Sequence, residues 1–177
     1  PALGGLVHYS KHWALRGMHT LDRSAAEPLW RDLAPNAGAD FRGEDFPEPE
    51  AVGCWLDRPA VWVVQSGHAT HHYLPAENAW RRVAAGKPGV TPRGHDARAP
   101  MICDAARGVA WLVEAAPDVQ AGGARLWRYA PATRRWESIS PDGPPPPMGL
   151  AYYDPAREVL VVQGRSDRVW VYRPEHN

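Results

Sequence analysis

Four segments of this chain repeat one pattern, and that repetition limits the folds open to it more than any other feature. Residues 149–174, "GLAYYDPAREVLVVQGRSDRVWVYRP", run as an alternating segment, a turn led by Asp154, an apolar segment, and a third segment ending in Tyr172-Arg173-Pro174. The stretches "AVGCWLDRPAVWVVQSGHATHHYLPAENAW" (51–80) and "PMICDAARGVAWLVEAAPDVQAGGARLWRYAPATRRW" (100–136) follow the same plan, with turns led by Asp57 and Asp104. Their third segments end in Tyr73-Leu74-Pro75 and Tyr129-Ala130-Pro131, and Trp80 or Trp136 then opens a fourth. A weaker copy, "GLVHYSKHWALRG" (5–17) followed by "LDRSAAEPLWRDL" (21–33), begins the chain. A polar residue (Arg16, Gln65, Glu114, Gln163) recurs every 49 residues and is expected to close the second strand of each copy.

Segments that alternate with a period of two are strands. Four short strands joined by tight turns make an antiparallel sheet that cannot bury both faces by itself, and stacking such sheets around an axis solves the problem. The expected fold is therefore all-β, a β-propeller of about four four-stranded antiparallel blades in a single domain, with blades near 1–33, 51–84, 100–140 and 148–177. Nineteen Pro, sixteen Gly and nine Trp suit many short strands with tight turns. The best helical pattern, Ser24–Trp30, is interrupted by Pro28. The repeated Trp and Tyr are expected to pack between blades.

The last copy shows three strands, so the ring is expected either to close as a compact four-blade unit or to be a partial ring completed by association. An open end would leave an apolar face and an unpaired edge in water, which favours a homo-oligomer or a larger propeller. Another segment is expected to lie along Val169–Tyr172.

The stretch "YAPATRRWESISPDGPPPPMGLAYYDPAREVLVVQG" (129–164) resembles a kelch repeat: an aromatic, a Pro turn, a Trp, a Pro- and Gly-rich crossing loop, then two inner strands. The segment "TPRGHDARAPMICDAARG" (91–108) resembles the kelch crossing, with Arg93 and His95 where that family often places Arg and His. The family's Gly-Gly doublet is replaced by Ser66-Gly67, Ala115-Ala116 and Gly164-Arg165. A hemopexin-like four-bladed propeller is the alternative of similar repeat length and size. The kelch resemblance implies a scaffold for binding, and some kelch-like propellers are copper oxidases or sugar epimerases.

In such a propeller the loops joining second to third strands, and fourth strands to the next blade, share one face, where loops vary freely on a rigid scaffold. Residues 34–50 are acidic, with Asp40, Glu44 and Asp45 among them, whereas residues 81–98 are basic. Together with Arg93, His95 and Arg165 they form the expected loop-face binding surface, which orients a polar partner by opposed potentials. The competing expectation is that these charges pair with each other. Arg16, Gln65, Glu114 and Gln163 are expected near the axis, as a ring able to hold a small ligand at the central mouth.

Catalytic motifs such as G-x-S-x-G, a P-loop or H-E-x-x-H are missing, so no catalytic residue and no cofactor is assigned. The leading expectation is a non-enzymatic binding or assembly module for a protein or glycan. The alternatives are a kelch-type enzyme (oxidase or sugar isomerase) with its pocket at the mouth, and a partial propeller that completes a ring by association. His71 and His72 point to opposite faces of a strand, so no metal site is expected. Zero formal net charge gives no reason to expect nucleic acid or an anionic membrane as partner. No run of 18 apolar residues and no signal-like start is present, so the chain is expected to be soluble. Cys54 and Cys103 cannot form a disulfide framework; buried free thiols are expected, with one inter-strand disulfide as the alternative.

Overall fold

The computed structural model describes residues 7–12, 15–22, 27, 29–38, 44–48, 51–94, 101–105, 107–115, 124–140, 143, 150–164 and 169–174. Among these residues the chain is all-β, built from antiparallel sheets that follow one another in sequence. The first comprises β1 (Val7–His12), β2 (Leu15–Asp22) and β3 (Leu29–Asp32), and a single helical turn, α1 (Pro35–Gly38), follows it. The second holds β4 (Val52–Asp57), β5 (Ala60–Ser66), β6 (Ala69–Leu74) and β7 (Ala79–Ala84), in that order. The third repeats the plan with β8 (Met101–Asp104), β9 (Val109–Ala115), β10 (Ala124–Ala130) and β11 (Arg135–Ile139). The fourth comprises β12 (Leu150–Asp154), β13 (Val159–Gln163) and β14 (Val169–Tyr172). Among the described residues, no helix is long and apolar enough to cross a membrane.

Asp turns start the hairpins that lead into the second strands of the last two sheets. Asp104 Oδ1 accepts the Arg107 backbone N–H at 3.1 Å, and Asp154 Oδ1 accepts those of Ala156 and Arg157 at 2.9 and 3.1 Å. Such Asx contacts let a short side chain stand in for a backbone partner.

Successive sheets stack face to face. Met18, Phe46, Val64, Tyr73 and Trp80 fill the space between the first and second sheets. Cys54, Leu56, Val61 and Val63 meet Ala110, Leu112, Trp127, Tyr129 and Trp136 between the second and third. Ile102, Trp111, Val113 and Leu126 meet Leu160 and Val162 between the third and fourth. The second strands β5 and β9 read as continuous apolar runs because the middle sheets are covered on both sides; Val61 and Val63 face one neighbour, Val64 the other. The repeated aromatics pack in these layers, as their size favours.

Two sequence expectations need correction. Cys54 and Cys103 are joined by a disulfide, with Cα atoms 5.5 Å apart, and no free thiol remains. The bridge ties β4 to β8, the first strands of neighbouring sheets, so the inter-strand disulfide named as the alternative forms in place of the expected free thiols. Arg16 does not close a second strand. It is the second residue of β2 and pairs with Lys11 beside the β1–β2 turn, because the first described sheet begins one strand later in the repeat than its sequence alignment implies. Trp30 opposite Leu21 matches Trp80 opposite Tyr73 and Trp136 opposite Tyr129, which makes β2 and β3 third and fourth strands.

Candidate functional site

The connection between the second and third sheets is pinned by the polar residues expected at the mouth. Gln65 is fully buried. Its Nε2 donates to the carbonyl of Pro92 at 2.8 Å and to that of Gly67 at 3.3 Å. Its Oε1 accepts from the Thr70 hydroxyl at 2.7 Å, and Thr70 Oγ1 in turn accepts the Trp136 indole N–H at 2.9 Å. Gly94 pairs with Gly67 and lies so close to Gln65 that a Cβ there would stand 2.4 Å from the Gln65 carbonyl oxygen. Glu114 accepts the Arg93 backbone N–H on one oxygen and the Trp127 indole N–H on the other, both at 2.8 Å. A satisfied buried network of this kind specifies how the loop and sheets fit together, and the donors and acceptors named are occupied within the protein.

Cross-strand pairing also separates the four mouth residues. Trp62, Ala110 and Leu160 each sit opposite the third-strand tyrosine of their sheet. Three residues further along each strand come Gln65, Val113 and Gln163, so Glu114 occupies the next position and faces the other side of its sheet. Gln163 is exposed at the end of β13, Glu114 is half-buried, and only the backbone of Arg16 is described. The constant spacing of 49 therefore puts Glu114 on the opposite face of its sheet from Gln65 and Gln163.

A cleft does form on the loop face. The segment 44–48, which precedes the second sheet, folds over the β6–β7 side of that sheet. The Arg82 side chain donates to Glu44 Oε2 at 2.7 Å, the Arg82 backbone N–H donates to Asp45 Oδ1 at 2.9 Å, and the Glu48 N–H donates to the Ser66 hydroxyl at 2.8 Å. His71, buried in β6, places Nε2 3.0 Å from the Glu44 carbonyl oxygen. Glu44, Phe46, Glu48, Ser66, Ala69, His71 and Arg82 line the resulting cavity of about 370 Å³. The expected pairing of acidic and basic segments occurs at Glu44–Arg82, but the carboxylate is largely exposed and the pair contributes little energy. Its effect is to hold two opposite charges at the rim of an apolar floor made by Phe46 and Ala69.

Of the loop-face residues named from sequence, Glu44 lines the cleft, Asp45 fastens the segment behind it, and Arg93 stands apart on the Glu114 contact. Asp40, His95 and Arg165 lie outside the described residues. His71, Phe46 and Ser66 were not assigned to a site from sequence, and Arg82 entered only as part of the basic stretch 81–98. Their only signal is the acidic run opposite basic β7, which does not reveal where the loop folds. His72 turns the other way, as strand alternation requires, and sets Nε2 2.8 Å from the Tyr129 hydroxyl across the second and third sheets. Burial is the main cause that depresses its pKa to about 4, with Arg134 and then His71 adding to the effect.

No family model and no curated protein matches the chain. Among solved structures, one titled "Structure of YjhT" is similar in fold, with a TM-score of 0.51 and 14% sequence identity over 88% of this chain. This chain spans 58% of the length of that one, and the likeness shows the fold alone.

Proposed function

We propose that the four sheets are blades of a kelch-like propeller arc, and that the protein is a non-enzymatic binding module whose loop face takes a glycan. Serial stacking of sheets with one strand order and one direction of packing supports the propeller reading. The cleft over β6 and β7 carries the binding reading. Its volume falls within the range of small-ligand sites, and it combines carboxylates, a guanidinium and an imidazole with an apolar floor. Hydroxyl-rich ligands suit such a rim, because carboxylates accept from vicinal hydroxyls while a planar guanidinium donates to two oxygens at once. An enzymatic pocket at the mouth finds no support, since Gln65 and Glu114 are engaged in holding the 92–94 loop.

Titration with a panel of neutral, aminated and acidic oligosaccharides, read by tryptophan fluorescence and calorimetry, tests this function. Glu48→Gln and Ser66→Ala should weaken the binding of any active member at least about tenfold, the loss expected from one charge-assisted or buried hydrogen bond. Absence of binding across the panel, or binding that both variants leave intact, would remove the cleft from consideration.

A further inference from the structure

We propose that the outer edge of β11 takes up an extended acidic peptide as an added strand, with one carboxylate of the peptide seated between Arg128 and Arg135. The inference is independent of what the cleft over β6 and β7 binds. It rests on two observations at one place. Backbone groups that are covered in the second sheet are open in the third, and beside them lies a cavity lined by guanidinium groups.

The fourth strands β7 and β11 are edges of their sheets. They run in the same register, with Trp80 opposite Tyr73 and Arg82 opposite His71 in the one, Trp136 opposite Tyr129 and Ser138 opposite Trp127 in the other. In an antiparallel ladder, alternate residues turn both backbone groups away from the neighbouring strand. In β7 those residues are Trp80 and Arg82, and side chains of the preceding segment cover them. Asn36 Oδ1 accepts the Trp80 N–H at 2.6 Å, Asn36 Nδ2 donates to the Trp80 carbonyl at 3.2 Å, and Asp45 accepts the Arg82 N–H. The matching groups of β11 are the N–H and C=O of Trp136 and Ser138, and none of the described residues bonds them. The segment before the third sheet takes another course, because Pro92 and Gly94 are held by Gln65 and Gly67.

A cavity of about 250 Å³ lies on the hairpin that ends in this edge, lined by Arg128, Ala130, Thr133, Arg135, Trp136 and Glu137. Arg128 stands opposite Glu137 and Ala130 opposite Arg135, so these four side chains share one face of the hairpin. Among the described residues, neither guanidinium makes a hydrogen bond or an ion pair. Arg134 adds a third positive charge in the β10–β11 turn, so three cations stand against one carboxylate and set the sign of the partner. Both arginines line the same cavity, and one carboxylate can accept from both. Charges along an edge deter pairing with apolar strands, which leaves this edge to a strand of complementary charge. In strand addition the backbone bonds supply affinity, and a side pocket such as this one supplies selectivity.

Fluorescence anisotropy of a labelled, capped peptide of about eight residues, alternating Glu and Thr, tests the proposal on the whole chain. The peptide should bind at low salt, weaken as salt is added, and bind at least about tenfold more tightly than its lysine counterpart. Methylating its backbone nitrogens should abolish binding, because an added strand must donate to the carbonyls of Trp136 and Ser138. Hydrogen exchange at the Trp136 and Ser138 amides should slow when the peptide is present. Arg135→Glu changes an exposed side chain and should weaken binding at least about tenfold with an unchanged thermal midpoint. Ser138→Pro removes an outward N–H that the ladder does not use, and should weaken binding in the same way. Failure of the acidic peptide to bind, equal binding of the lysine peptide, binding that survives Arg135→Glu, or unchanged exchange at Trp136 and Ser138 would overturn it.

Discussion

The third and fourth sheets are built from the same repeat, yet one is interior and the other is half solvated. Ile102, Val113 and Leu126 of the third sheet are buried by the fourth. Tyr152, Gln163 and Val169 hold the same registers in the fourth sheet and stand in water. On its other side the third sheet is tied to the second by the Cys54–Cys103 bridge, whereas Tyr153 occupies the position in the fourth sheet that Cys103 holds in the third. The comparison teaches that in a serial stack the cost of a substitution follows the number of covered faces, and not the place of the residue in the repeat.

Truncation of matched positions should break the symmetry between these sheets most strongly. Leu126→Ala removes a fully buried side chain between two sheets and should cost up to about 5 kcal/mol in denaturant unfolding. Val169→Ala, at an exposed position, should cost no more than about 0.5 kcal/mol. Similar costs at both sites would mean that the outer face of the fourth sheet is covered within a single chain.

The disulfide should come next. Loop-closure entropy for the 49-residue separation gives about 4 kcal/mol for the Cys54→Ser/Cys103→Ser variant. The same loss should appear in the wild type unfolded with reductant, and reductant should do nothing further to the variant. The turn arginines follow. Arg107→Ala leaves the carboxylate of Asp104 buried without its guanidinium and should cost about 3 kcal/mol. Arg157→Ala, at an exposed pair screened by water, should change stability far less.

Much of this arrangement is legible in the sequence, and its failures have physical reasons. Alternation and Asp- or Pro-led turns locate the strands of the second, third and fourth copies, because a strand with one or two buried faces must show it in its residues. The even spacing of Arg16, Gln65, Glu114 and Gln163 misleads because equivalent second-strand positions are not evenly spaced: Trp62, Ala110 and Leu160, each opposite the third-strand tyrosine of its sheet, lie 48 and 50 residues apart. A one-residue difference is enough to send Glu114 to the opposite face from Gln65. The disulfide and the cleft depend on how sheets and loops pack on one another, and no local pattern around Cys54, Phe46 or His71 records that.

The smallest predicted effect separates the two junctions of the third sheet by pH. Tyr129 and Tyr172 hold equivalent places; Tyr129 meets His72, and Tyr172 packs edge-on against Trp111. His72 has its pKa lowered to about 4 in the fold, chiefly by burial, so the unfolded chain binds its proton first as pH falls through the ordinary value of 6.5. Stability from this group is therefore complete above pH 6.5 and declines towards pH 4, with about 2 kcal/mol gone by pH 5. His72→Gln should flatten that part of the profile, while a Trp111→Phe change at the other junction should leave its slope intact. Hydrogen exchange at pH 5 should accordingly weaken protection in β6 and β10 before it weakens protection in β13, and the reverse order would place the pH-sensitive contact elsewhere.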